Sequence, residues 1–400
     1  MDLTIYHSEV ENNELVPVKK ICLESQNSEV KLKFSQAGKR LHKYINQSSE
    51  QRAYLFPTFS LPYNGPSMLI LGDGNLSFSC ALAHMYPNFK LTASVIEGRT
   101  EFIQRYPSGG DMVEELNALP NVDLKFNVDA TALPEEWSGL FNDILFNFPH
   151  PGGKTNLKRS KELISNVFSS VQHIMSKKSR FHLALAKRQS GLDHNDVVSQ
   201  RIFSSDTPLH NKDSWQIIYI AAAYGMLAES VKPFNPTLFQ RYISSGYKQR
   251  DQMFWNKDGA DLISFVHKSH IVPELPMSVS PVQDSYCFAK QFHAFRPVFL
   301  HDISILFQST LQKDDEFNHW QSVLFRFIAS RTLEFVVDCR EVLALRCVCP
   351  KSGLPNRIYR LYWQSVNSPM CKILCNHLQN DLRDSVTKYF VDKSVPLILS

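Results

Sequence analysis

Met68-Leu-Ile-Leu71-Gly72-Asp73-Gly74-Asn75-Leu76-Ser77-Phe78-Ser79 sets a short apolar run against a glycine turn, and the turn against a helical pattern that continues to Met85. Four apolar residues closed by a turn read as a buried strand, and the residues after the turn read as a helix N-terminus. Glycine lets the main chain approach a ligand closely. In an open α/β sheet the ligand lies in the crevice beyond the carboxyl ends of the strands. The turn is Gly-Asp-Gly. It is neither Gly-x-Gly-x-x-Gly nor a Gly-Lys-Ser/Thr loop, so the dinucleotide fingerprint and the P-loop both fit poorly. Asp73 would also repel a phosphate, whereas a cationic ligand would tolerate it.

Outward from this turn, strand and helix patterns alternate: strand 67–71, helix 76–86, strand 90–95, helix 99–106, and strands 123–127 and 141–146. A helix over 158–177 and a strand over 181–186 come next, and after Trp215–Ala223 two more strand patterns lie at 226–231 and 261–267. Such alternation predicts parallel βαβ units. A final hairpin added to a five-stranded parallel sheet is the plan of methyltransferases that use S-adenosylmethionine (SAM), so residues 63–270 are expected to form a Rossmann-like α/β domain. Residues 1–62 are polar and weakly periodic, with a strand-like piece at 29–34, and form an N-terminal extension whose order the pattern leaves open. Pro273, Pro276 and Pro281 mark an extended connection to a second, α+β segment over 285–400.

A length of 400 residues suggests two domains. A hydrophobic share of 43% with 20% charged residues describes an ordinary globular chain. No apolar run reaches the length of a membrane span, and the N-terminus lacks the basic and apolar regions of a signal peptide. The expectation is an intracellular protein, of the cytoplasm or of the nucleus and nucleolus, with no membrane partner. With a net charge of only +4, a nucleic-acid partner must be held by local basic patches. Eight cysteines in a chain this long are no disulfide framework. Cys347, Cys349, Cys371 and Cys375 lack zinc-knuckle spacing and read as reduced core thiols, so no metal is expected.

Candidate site residues fall at successive strand ends. Glu97 follows the second strand, where a carboxylate can accept from both hydroxyls of a ribose, and Asp129 follows the third, placed to accept from an adenine amino group. Singly each reads as a loop carboxylate or helix cap. Together with Gly72, Asp73 and Gly74 they point to SAM as cofactor. The fourth strand ends in Asn147-Phe-Pro-His-Pro-Gly-Gly-Lys154. There the Asn147 amide offers donors and an acceptor to a base edge, and Phe148 can stack. His150 reads equally as a general base and as a turn hydrogen-bond partner. Lys154, Lys158, Arg159 and Lys161 on one side, with Lys187 and Arg188 after the fifth strand, are candidates for gripping RNA phosphates.

Two motifs carry a resemblance to a known family. Leu71-Gly-Asp-Gly-Asn-Leu-Ser-Phe-Ser79 is similar to the Gly-Glu-Gly-Asn/Asp-Phe-Ser-Phe-Ser motif, and Phe146-Asn-Phe-Pro-His-Pro-Gly-Gly153 to the Phe-Asn-Phe-Pro-His motif, of the large-subunit ribosomal RNA uridine-N3 methyltransferases. The match covers about 67–268, with Asp73 where the family has Glu and Leu76 where it has Phe. It implies a SAM enzyme that methylates N3 of a uridine in ribosomal RNA. Residues 285–400 resemble the ferredoxin-fold anticodon-binding domain that ends phenylalanyl-tRNA synthetases, with the entry strand Pro297-Val-Phe-Leu-His301-Asp302-Ile-Ser304. The resemblance implies a helix at 315–329, strands at 333–337, 342–348 and 358–363, and a last helix at 369–389. His301 replaces the usual Arg, and Val337-Asp338-Cys-Arg340 stands for Phe-Asp-x-Tyr, which weakens the case for transfer RNA as partner. The whole arrangement resembles the ferredoxin-fold anticodon-binding domain-containing protein family. The competing reading is a noncatalytic RNA-binding scaffold that retains a methyltransferase fold; an NAD-dependent enzyme is disfavoured by the glycine turn.

Overall fold

A computed structural model describes residues 3–11, 14–21, 67–153, 156–193, 201–202, 213–243, 259–268, 291–308, 314–332 and 335–400. The chain forms two compact units, residues 1–52 and 53–400. The first contains an antiparallel hairpin, β1 (Leu3–Glu11) and β2 (Glu14–Ile21). The strand-like piece at 29–34 lies outside the described residues.

The second unit opens with β3 (Ser67–Leu71), α1 (Ser77–Met85), β4 (Lys90–Ser94), α2 (Arg99–Arg105), α3 (Gly109–Asn117) and β5 (Val122–Lys125). It continues through β6 (Asp143–Asn147), α4 (Leu157–Ile174), β7 (Arg180–Ala186), the two-residue β8 (Arg201–Ile202), α5 (Ile217–Ala223), β9 (Met226–Pro233) and β10 (Ala260–His267). Seven of these strands form one sheet in the order β5-β4-β3-β6-β7-β10-β9. The first five run parallel, while β10 pairs antiparallel with both β7 and β9. The order reverses at β3, so the carboxyl ends of β3, β4 and β6 meet at the switch point where this architecture places ligands. The strands are apolar on both faces because helices cover both. Leu69, Leu71, Ile144 and Phe181 pack with α4 and α5, while Met68, Ile70, Leu145 and Ala184 pack on the α1 side. Phe168 of α4 meets Phe181 and Phe265 edge to face at 5.3 and 5.0 Å, a favoured geometry for buried rings.

A two-residue strand, β11 (Gln291–Phe292), pairs with β8. The C-terminal part runs β12 (Phe299–Phe307), α6 (Asp314–Thr332), β13 (Val336–Glu341), β14 (Cys347–Val348), β15 (Pro355–Trp363), α7 (Lys372–Asp392) and β16 (Leu397–Leu399). Its main sheet has the order β13-β15-β12-β16, with antiparallel neighbours. The βαββαβ succession with the first and third long strands central is ferredoxin-like. Ile303, Ile305, Phe307, Leu361 and Trp363 face Leu378, Leu382 and Val386 of α7 in its core. Trp363 satisfies its buried Nε1–H on Gln379 Oε1 at 2.9 Å.

The structure corrects the expected strand over 342–348. It is a 3-10 turn at Leu343–Leu345 followed by the short β14, with Leu343 and Val348 64% and 61% exposed. Cys375 is buried as expected of a core thiol, but Cys347 is exposed, and Cys349 and Cys371 are half-buried. Leu345, between Leu343 and Val348, is 44% exposed as well, so the segment has no covered apolar face among the described residues.

The two sheets are joined by a buried strap. Ala294 and Phe295 lie in the core of the seven-stranded part. Arg296 donates to Ala228 O of β9 and to Val366 O of the C-terminal part, each at 2.7 Å. Burial lowers its guanidinium to about 10. The Tyr219 hydroxyl of α5 donates to Val298 O at 3.1 Å and accepts from Val298 N–H at 3.2 Å. Buried polar groups that are paired in this way make the junction specific as well as apolar.

Candidate active site

The loops after β3, β4 and β5 are stitched together by main-chain hydrogen bonds. Asp73 N–H donates to Ser94 O, Asn127 N–H to Glu97 O and Val128 N–H to Val95 O, at 3.0–3.1 Å. Gly72 and Gly74 hold φ of +56° and +39°, left-handed values that cost a side-chain-bearing residue strain. A Cβ at Gly72 would lie 2.8 Å from the Phe146 ring. Glycine is therefore required there by both conformation and space. The turn borders a cleft that is also lined by Asn147, Phe148, Tyr242 and Ile243.

Asp73 lines this cleft with its carboxylate engaged. Oδ2 accepts from Ser79 N–H at 2.6 Å, so the side chain caps the first turn of α1, and burial lifts its carboxyl from 3.8 to about 7. Glu97, 7% exposed, accepts from the Arg105 guanidinium, which also holds Glu101 at 2.8 Å. Asp129 is exposed, and its Oδ1 accepts from both the N–H and the hydroxyl of Thr131, at 2.8 and 2.7 Å. Both carboxylates thus sit at adjoining strand ends beside the glycine turn, outside the lining of the cleft itself.

Asn147 is the last residue of β6 and keeps the sheet register with Ala184. The chain then breaks away at Phe148, with φ +52° and its N–H on Ala184 O at 2.8 Å. The break leaves the Asn147 amide buried, with Nδ2 and Oδ1 both lacking a hydrogen-bond partner. Buried polar atoms are nearly always paired, so this amide is an exception with a position. His150 does not line the cleft; its Nδ1 accepts from Gly152 N–H at 2.9 Å. Burial, then the Arg159 charge, lowers its pKa. The neutral ring then carries its proton on Nε2, and its basic nitrogen, Nδ1, is occupied by the Gly152 N–H in this turn. The turn-partner reading of His150 is the one this geometry realises.

Lys158 and Arg159 lie exposed in the first turn of α4, and Asn156 caps that turn through Arg159 N–H at 3.1 Å. Arg159 reaches back to Pro151 O at 3.3 Å, beside the loop that follows Asn147. Lys161 is turned to Gln216 Oε1 at 2.9 Å. Lys187 lies 3.7 Å from Asp193, and Arg188 is exposed after β7. Lys154 lies outside the described residues.

Sequence reading missed Tyr242 and Ile243, which complete the cleft from a distant part of the chain, and Ile96, an apolar side chain 60% exposed beside Glu97. No motif marks the first two. The third is visible only as an apolar residue one place beyond the apolar end of a strand. Among the described residues, Cys80, His84 and Glu115 bring potential metal-ligand atoms within 4.8 Å of one another. Arg241, however, donates to both Glu115 oxygens and supplies the positive charge there. No helix among the described residues is long and apolar enough to cross a membrane.

Residues 69–246 match the model of a family described as BMT5-like, rRNA (uridine-N3-)-methyltransferase BTM5-like. The chain is 28% identical over 191 residues to the ferredoxin-fold anticodon-binding domain-containing protein 1 of Homo sapiens, covering 47% of this chain and 29% of that protein. It is 31% identical over 196 residues to the Mus musculus homolog, with the same coverage of 47% and 29%. The aligned part therefore spans 29% of the length of these curated relatives. Among solved structures, the glycopeptide N-methyltransferase MtfA complexed with SAM aligns with a TM-score of 0.34 at 14% identity, over 54% of this chain and 93% of that one. Taken with the two motifs at the cleft, these matches give the chain a BMT5-like domain over residues 69–246 and a likeness, over 47% of its length, to ferredoxin-fold anticodon-binding domain-containing protein 1.

Proposed function

We propose that the chain binds SAM at the glycine turn and methylates N3 of an unpaired uridine in RNA, with ribosomal RNA as the substrate class. The observation that carries this reading is the buried amide of Asn147, which has no partner in the fold and stands in the same cleft as Gly72, Asp73 and Gly74. A ligand edge with both a donor and an acceptor would satisfy it, and the O2/N3/O4 edge of uracil is such an edge. The residues present fit the cofactor. Gly72 leaves no room for a Cβ against Phe146, and Gly72 and Gly74 are both left-handed, so the main chain itself borders the cleft. Glu97, held by Arg105, is our candidate for the ribose hydroxyls, and Asp129, held by Thr131, for the adenine amino group. When bound, SAM supplies an electrophilic methyl group.

The protein's own task is alignment and charge support. Uridine N3 carries a proton on the pairing edge, so the base must be unpaired or flipped before Asn147 can hold it. Asn147 Nδ2 donates to a uracil oxygen and strengthens that bond as the ring becomes anionic. Phe148 offers a face for stacking. His150 orders the loop through Gly152 and takes the N3 proton only after releasing that bond. Lys158, Arg159, Lys187 and Arg188 meet phosphates on either side.

Calorimetry with purified chain tests the cofactor half. Wild type takes up SAM or its demethylated product, and Asp129→Ala weakens binding by about 1–3 kcal/mol, the scale of a stranded polar partner. No uptake at millimolar ligand contradicts the reading. It would favour the scaffold alternative, to which the internal partners of Glu97 and Asp129 lend their support.

A further inference from the structure

Part of the cleft wall is built by a segment that no motif marks. After β9, Phe239 and Tyr242 fold back onto Phe78 of α1 with ring centroids 4.8 and 5.2 Å away, and Phe234 meets Phe148 edge to face at 5.4 Å. Two polar contacts secure the far end of this segment. The Ser77 hydroxyl donates to Ile243 O at 3.1 Å and accepts from Ile243 N–H at 2.9 Å. Arg241 grips Glu115 of α3 with two parallel hydrogen bonds of 2.5 and 2.7 Å, the bidentate geometry that makes such pairs strong and directional. His84 Nε2 adds a third donor to Glu115 at 2.8 Å. Arg241 itself holds φ +72°, a conformation a non-glycine residue keeps only where its surroundings impose it. The clamp therefore fixes the main chain immediately before Tyr242 and Ile243, the two residues that enter the cleft lining.

We propose that residues 234–243 form the substrate-side wall of the cleft, that Tyr242 contacts the incoming base, and that Glu115 and Arg241 are positioning residues that hold this wall in place. The proposal rests on the methyl-transfer reading of the cleft and names its substrate face: an unpaired pyrimidine in looped RNA, hydrogen-bonded by Asn147 and flanked by aromatic rings. Aromatic side chains stack on any base, while the amide selects the edge. The Arg241–Glu115 pair ties the wall to α3, an element that carries none of Gly72, Asp73, Gly74, Glu97 and Asp129, so it governs the base and not the cofactor.

The test uses the full chain with two probes: S-adenosylhomocysteine by calorimetry, and a fluorescein-labelled RNA hairpin with a uridine-rich loop by anisotropy. Arg241→Ala and Glu115→Gln each weaken the hairpin about tenfold, the scale of one lost stacking contact, and leave S-adenosylhomocysteine affinity within about twofold. Tyr242→Ala does the same, whereas Tyr242→Phe binds as wild type. The exchanged pair Arg241→Glu with Glu115→Arg restores hairpin affinity, and amide hydrogen exchange over 234–243 rises in the single variants and falls back in the exchanged pair. Unchanged hairpin affinity in Arg241→Ala with raised exchange overturns the proposal, because the wall then loosens without consequence for RNA. Equal loss of both ligands overturns it as well, since the segment would then support the whole domain. A wild-type chain that binds neither SAM nor S-adenosylhomocysteine refutes the underlying methyl-transfer reading, a result separate from any behaviour of the clamp.

Discussion

Replacing Asn147 by Leu stabilises the ligand-free chain and abolishes its chemistry. Both amide atoms of Asn147 are buried without partners, and an unpaired buried polar group costs about 1–3 kcal/mol. Leucine keeps the branched heavy-atom skeleton, is larger and carries no polar atom, so the substitution removes that cost without opening a cavity, its extra bulk entering the adjoining cleft. The expected gain is about 1–3 kcal/mol, which for a folded unit of this size raises the melting temperature by a few degrees. Methyl transfer should fall by a factor of about 100 or more, the scale of losing one donor aimed at a developing charge. Opposite signs in stability and activity mark a residue kept for function. Differential scanning calorimetry of the ligand-free variant gives the first number and single-turnover methyl transfer the second. A melting temperature lowered by several degrees would refute the reasoning, because the amide would then be satisfied within the fold and its burial would say nothing about a ligand.

Two carboxyl groups give stability slopes of opposite sign. Asp73 has a folded-state pKa of about 7 against 3.8, so the folded chain holds its proton more tightly than the unfolded one. Its contribution is full below about pH 4 and is lost as pH rises through about 7, and Asp73→Asn should flatten that slope in unfolding titrations. Glu115 runs the other way, held at about 2 by the Arg241 hydrogen bonds, so its contribution is present above pH 4.5 and lost only as pH falls towards 2. A chain cut at a protease site engineered between residues 269 and 290 should elute as one complex, because Phe295 is 2% exposed in the core of the seven-stranded part. Phe295→Ala, at a cost of about 3–5 kcal/mol, should let the pieces separate on gel filtration; separation of the cut wild type would show that the strap does not hold them.

What the sequence made legible was local. Met68–Leu71 and the glycine turn announce strand and helix because apolar periodicity and left-handed glycine act within a few residues. Glu97 and Asp129 could be placed because strand ends in a parallel sheet share one edge. The direction of the Asp73 side chain was not legible. It depends on Leu76 adopting φ +64° and on Ser79 offering its N–H, so a residue read as facing the ligand caps a helix. The wall at 234–243 was beyond reach for a different reason. Its contacts join Ile243 to Ser77 and Arg241 to Glu115 across 166 and 126 residues, and no local pattern encodes such a pairing. Cys347 misled because the absence of metal-ligand spacing says what a cysteine does not bind, without saying whether anything covers it.

Whether the cleft transfers a methyl group to uridine is decided by incubating purified wild-type chain with methyl-labelled SAM and RNA, then digesting the RNA to nucleosides for mass spectrometry. Label should appear in N3-methyluridine, and none should appear with Asn147→Leu. Label in a methylated cytidine or adenosine, or turnover by Asn147→Leu equal to wild type, would contradict both the uridine-N3 assignment and the role of the buried amide.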